Sequence, residues 1–140
     1  MTLRHFNVYP KNSNEVIKVE ISRFNLRDET FVLYNSGKEA TSNFAFIAKD
    51  KVAAIAPAEP RDESRFRYLI DFLVYLRERK EPLVIRATRF KEQSPEFCFY
   101  SSTGGSDVKI DDVYIDGAEI ITVIPAQGLQ MYFGDVSTGV

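Results

Sequence analysis

The chain repeats itself, and the repeat constrains its fold more than any single motif does. Ile21-Ser22-Arg23-Phe24 recurs as Ala87-Thr88-Arg89-Phe90, and Phe31-Val32-Leu33-Tyr34 recurs as Phe97-Cys98-Phe99-Tyr100, both 66 residues on and without a gap. A third block, Val52-Ala53-Ala54-Ile55-Ala56-Pro57-Ala58, matches Ile120-Ile121-Thr122-Val123-Ile124-Pro125-Ala126 at an offset of 68, which puts a two-residue insertion at or near the Gly104-Gly105 loop. Three blocks in one order and at nearly one spacing indicate a duplicated unit.

Each unit reads as β. In the first, apolar and β-branched runs at 16–24, 30–35, 43–48 and 52–56 are divided by polar or glycine turns, one of them tight at Lys49-Asp50, and Pro57 stops the last. That is the grammar of a four-strand meander. The second unit runs through 83–90, 96–101, 108–115 and 119–124, with Asp116-Gly117 as a hairpin pair whose glycine takes positive φ.

The segment between them, 60–80, carries a helical spacing. Asp62 or Ser64 can cap it and Pro82 ends it, while Phe66, Leu69, Ile70, Leu73 and Val74 follow the i, i+3, i+4, i+7, i+8 pattern. Tyr68, Phe72, Tyr75 and Leu76 form a second apolar stripe. A surface this wide predicts that both units, or a partner subunit, pack against the helix. The expected organisation is mainly β: a first β repeat over 1–60, a connecting amphipathic α-helix over 61–82, a second β repeat over 83–127 and a C-terminal tail over 128–140.

Composition bounds the function. A hydrophobic share of 44% and a charged share of 27% are those of a globular chain with a self-supporting core. Eighteen basic and twenty acidic side chains leave a net charge of −2, so no global field attracts polyanions. The charge is uneven, however: residues 1–60 net +1, 61–82 net +1 and 83–140 net −4. The lone Cys98 and the absence of a charged-then-apolar leader in the first residues predict a reducing, cytoplasmic setting. The most apolar stretch, 68–76, is far too short to span a bilayer, so no membrane partner is expected.

No catalytic residue can be assigned. His5 is the single histidine, near the start and without an orienting partner; Cys98 corresponds to Val32, a packing position; the 101–106 loop is followed by a strand, where a phosphate cradle needs a helix. Asp107, Asp111, Asp112 and Asp116 are a dense acidic cluster, but their spacing is not that of a calcium loop and alternation sends Asp111 and Asp112 to opposite faces. They read as a solvated acidic face, with no metal and no cofactor implied.

The repeated Arg-Phe pairs are different. Phe24 and Phe90 can turn inward while Arg23 and Arg89 project from equivalent surface sites. With Arg65, Arg67, Arg77, Arg79 and Lys80 of the helix they outline a local basic patch, and exposed Tyr34 and Tyr100 would stack on bases.

Short meanders whose last strand ends at a proline resemble small barrels of the SH3 or Sm type. The segment 113–125, VYIDGAEIITVIP, is similar to the second motif of Sm-like proteins, and 49–57, KDKVAAIAP, is similar to the same segment of the bacterial RNA chaperone of that family. Asp116 and Asp50 stand where those relatives carry arginine and histidine. The resemblance therefore implies a tandem Sm-like or SH3-like double barrel with ring-forming edge strands more than it implies a base-binding pocket. The expected function is a non-catalytic interaction or assembly module, a homo-oligomer through edge strands or the helix. RNA or single-stranded DNA binding through the basic patch is the alternative, and a small-ligand-binding or metal-binding enzyme comes last.

Overall fold

Alternating side chains build strands throughout. The computed structural model describes residues 3–34, 43–59, 69–102 and 106–126. The first half contains β1 (Arg4–Pro10), β2 (Ile17–Ile21), β3 (Arg23–Arg27), β4 (Thr30–Tyr34) and β5 (Asn43–Ala48). A one-turn 3-10 helix (Lys49–Lys51) then leads into β6 (Val52–Pro57). The second half contains β7 (Ile70–Leu76), β8 (Leu83–Ala87), β9 (Arg89–Gln93), β10 (Glu96–Ser102), β11 (Asp107–Lys109) and β12 (Tyr114–Ile115). Another 3-10 turn (Gly117–Glu119) precedes β13 (Ile120–Pro125). The strands form four open sheets ordered β12-β6-β1-β2, β3-β4-β5, β13-β7-β8 and β11-β10-β9. The fold is mainly β, and no sheet closes into a hydrogen-bonded barrel among the described residues.

The expected connecting helix is corrected. Within its described part, 69–82, residues 70–76 are the strand β7, flanked by β8 and β13. Phe72, Val74 and Leu76 are buried while Leu73 and Tyr75 are only half-buried, a period of two. A run that is apolar at nearly every position satisfies both periods, and two waiting neighbour strands decide between them. Residues 61–68, with Asp62, Ser64, Phe66 and Tyr68, lie outside the described residues, as does the tail 128–140.

β7 stands in the second half where β1 stands in the first. β1 pairs with β2 and β6, and β7 pairs with β8 and β13. The connecting hydrogen bonds recur at the same offsets: Lys11 N donates to Lys51 O as Arg77 N does to Glu119 O, and Ala58 N to His5 O as Ala126 N to Asp71 O. Asn12 and Glu78, 66 apart, both hold positive φ, 56° and 64°. The second repeat thus begins near residue 70 and not at 83.

The long strands expected at 16–24 and 83–90 are each bent into two. Ser22 N donates to Tyr34 O at 2.7 Å and Thr88 N to Tyr100 O at 2.8 Å, so the same bend hands each chain from one sheet to the next. Ser22 Oγ also donates to Tyr34 O, and Thr88 Oγ1 accepts from Ser102 N.

The insertion also moves. Lys109 pairs with Tyr100 as Asn43 pairs with Tyr34, still at offset 66, whereas Asp116 bridges Glu96 as Ala48 pairs with Thr30, already at 68. The two extra residues therefore lie between 109 and 116, not at Gly104-Gly105. Asp116-Gly117 is not a two-residue hairpin either. Asp116 Oδ1 accepts from Ala118 N at 3.0 Å and caps the 3-10 turn, and Gly117 is needed for space, since a Cβ there would meet Pro95 O at 2.9 Å.

Candidate interaction surface

Just after the insertion, Tyr114 and Ile115 pair with the outer edge of β6, Tyr114 with Ile55 and Ile115 with Ala54, while still packed beside β10. Asp116 N extends the ladder by donating to Ala53 O at 2.9 Å. Alternation then splits the two side chains. Ile115 points into the second half's core with Phe72, Val74, Leu76, Leu83 and Phe99, while Tyr114 enters the first half's core with Phe6, Val8, Ile21, Phe31 and Val52. Its ring meets Phe31 edge-on with centroids 4.6 Å apart. In return β6, buried on both faces, sends Ala53, Ala54 and Ala56 into the second core. The two cores share one strand.

Ion pairs surround this joint. Arg4 reaches Asp112 at 2.9 Å and Lys11 reaches Asp116 at 3.0 Å, each from the first half to the second. The positive excess of one repeat and the negative excess of the other thus meet inside the molecule. Arg79 closes the far end: its Nη2 donates to Pro10 O at 3.2 Å and to Glu15 O, and its guanidinium lies over the Tyr9 ring at 4.8 Å. Burial there holds the guanidinium below its ordinary pKa. Burial, reinforced by the carboxylates of Asp116, Glu96 and Glu29, raises the Tyr114 phenol well above its ordinary value.

The residues expected to form a basic patch lie on separate elements, Arg23 on β3, Arg89 on β9 and Arg77, Arg79 and Lys80 just after β7. Tyr34 is buried at 4% exposure, with Arg23 over its ring at 4.1 Å, so it is no open stacking platform. Arg89 lies 3.4 Å from Asp107, and Tyr100 opposite it is half-buried. Arg77 is exposed and Lys80 lies beside the first half, its N–H donating to Asn14 Oδ1 at 3.2 Å. Arg65 and Arg67 lie outside the described residues. Of the acidic cluster, Asp112, Asp116 and Asp107 are engaged by Arg4, Lys11 and Arg89, a purpose the solvated-face reading did not foresee.

His5 is exposed beside Glu20, and Cys98 is buried in β10. A shallow cleft of about 430 Å³ runs between Pro57 and Pro82, and the Arg86–Asp71 pair at 2.9 Å sits on its wall. No group of three metal-ligating side chains occurs among the described residues, and none of their helices is long and apolar enough to cross a membrane.

What remains is a set of sheet edges, and they differ in charge. The outer strands β2, β3, β8, β9 and β11 each carry charged side chains, the usual protection against edge-to-edge pairing. β5, Asn-Phe-Ala-Phe-Ile-Ala, and β13, Ile-Ile-Thr-Val-Ile-Pro, carry none, and neither does the two-residue β12, Tyr-Ile, whose side chains are both buried. Phe46 on β5 is 76% exposed and Ile121 on β13 is 65% exposed. Neither outer edge has a hydrogen-bonded partner strand among the described residues. Comparisons with known protein families, with curated proteins and with solved structures find no match.

Proposed function

We propose that the chain is a non-catalytic assembly module, two small Sm-like or SH3-like barrels in tandem that join copies of the chain through uncovered strand edges. The observation that carries this reading is the lack of any charge on β5 and β13, the two outer strands of six residues that also expose large apolar side chains. An uncharged, apolar edge pairs with another strand, and selection against aggregation leaves such an edge only where it has a partner. The bent strand shared by two sheets and the 3-10 turn leading into a proline-ended strand, present in both halves, support the small-barrel kind. Light scattering across a range of concentrations tests the proposal: the mass is expected to exceed that of one chain, and a strict monomer at high concentration overturns it.

Nucleic-acid binding is the less supported reading. Of the residues it would use, Tyr34 is buried under Arg23 and Arg79 is held by Pro10, Glu15 and Tyr9. Titration of RNA or single-stranded DNA at low salt decides it, since phosphate contacts give a steep salt dependence.

A further inference from the structure

The repeat contains one interface already built and one that lacks its second side. Applying the offset of 68 to the joint, Tyr114 corresponds to Phe46, Ile115 to Ile47, Ile55 to Val123 and Ala54 to Thr122. Ile47 packs on its own core as Ile115 does. Phe46 points away from its own core as Tyr114 does, but Tyr114 is 6% exposed and Phe46 is 76% exposed. One has a core to enter and the other does not.

The receiving side shows the complementary deficit. Around Tyr114, Phe31 and Val52 are 1% exposed and Ile55 is 0% exposed. Their equivalents Phe97, Ile120 and Val123 are only half-buried, although Phe90 and Phe99 of the same half lie 5.1 and 5.6 Å from the Phe97 ring. β13 offers the edge that β6 offers, and β5 keeps one edge on β4 with the other open.

The geometry points to a second copy of this chain as the occupant: β5 of one copy pairs antiparallel with β13 of the next, Phe46 opposite Val123 and Ile47 opposite Thr122, and Phe46 seats against Phe97. This rests on the assembly reading above and names its contact. The contact is head-to-tail, so it closes into a ring or extends into a filament. It also brings the first part of one chain, +1 over residues 1–60, against the last part of another, −4 over 83–140, the same sense of charge that the Arg4–Asp112 and Lys11–Asp116 pairs satisfy within the chain.

The test uses the full chain in a Cys98→Val background, which removes the native thiol. Phe46→Cys on one chain mixed with Val123→Cys on another is expected to give a disulfide-linked pair on oxidation, because opposed Cα atoms of an antiparallel ladder lie about 4.5–5.5 Å apart, within disulfide reach. Phe46→Cys with Ile121→Cys, two residues out of register, is expected to link about tenfold less. Phe46→Glu is expected to reduce the mass to one chain while leaving the circular dichroism spectrum unchanged. A wild-type chain that is monomeric throughout overturns both this contact and the assembly reading. An oligomer that survives Phe46→Glu and yields no 46–123 link overturns the contact alone. Amide protection of β13 at dilutions where the chain is monomeric would assign the edge to the chain's own residues 127–140 and overturn the contact as well.

Discussion

Tyr114 is the side chain that the second half lends to the first, and its chemistry reports on the joint. Because burial and three nearby carboxylates disfavour its phenolate, its pKa is higher folded than unfolded. The stabilisation is therefore complete below the unfolded value of about 10 and is lost as pH rises above it. Melting temperature measured from pH 8 to 12 is expected to fall more steeply in the wild type than in Tyr114→Phe, which has no phenol to ionise. Equal slopes would remove Tyr114 from the account. Gly117 is tested by Gly117→Ala, where the added Cβ would sit 2.9 Å from Pro95 O, a backbone atom that gives way only if the β10 entry moves. A loss of about 1–3 kcal/mol in denaturant unfolding is expected. Neither role can be read from sequence: Asp-Gly looks like a hairpin turn anywhere, and only the approach of Pro95 shows that Gly117 is kept for its small size. Cys98 was legible, since its pairing with Val32 marked it as packing, and it is buried.

At the scale of the element, β7 carries the main correction. Helical spacing puts Leu73 and Val74 on one stripe; the strand separates them, with Val74 at 0% exposure and Leu73 half-buried. Val74→Ser is thus expected to cost about 2–4 kcal/mol and Leu73→Ser under about 1 kcal/mol by urea unfolding. Similar losses at both sites would favour the helix. The strand was present in the repeat. At offset 66, Phe6, Val8 and Tyr9 correspond to Phe72, Val74 and Tyr75, a fourth block hidden by a wide apolar run that also fits a helix. The bends at Ser22 and Thr88 had no such signal, because a hydrogen bond to the next strand's carbonyl creates them.

In the whole molecule the halves are interlocked, since β6 lines both cores and Tyr114 crosses from one half to the other. Unfolding is expected to be one cooperative transition, with near-ultraviolet and far-ultraviolet signals coincident. Tyr114→Ala is expected to lower the stability of both halves together by about 3–5 kcal/mol, the cost of emptying a large aromatic site. Two separated transitions would show that the halves fold independently. The amino-acid sequence by itself determined the β class and the collinear blocks of the repeat, because these follow from side-chain period and from like segments meeting like neighbours. Tertiary structure alone decided that an apolar run with two possible periods becomes a strand and that two extra residues redirect Tyr114 onto β6. It also set the acidic cluster against Arg4 and Lys11, and left one copy of a repeated edge filled and the other open. Each of these depends on which distant segment reaches a backbone edge first, and pairing across a hundred residues leaves no local mark.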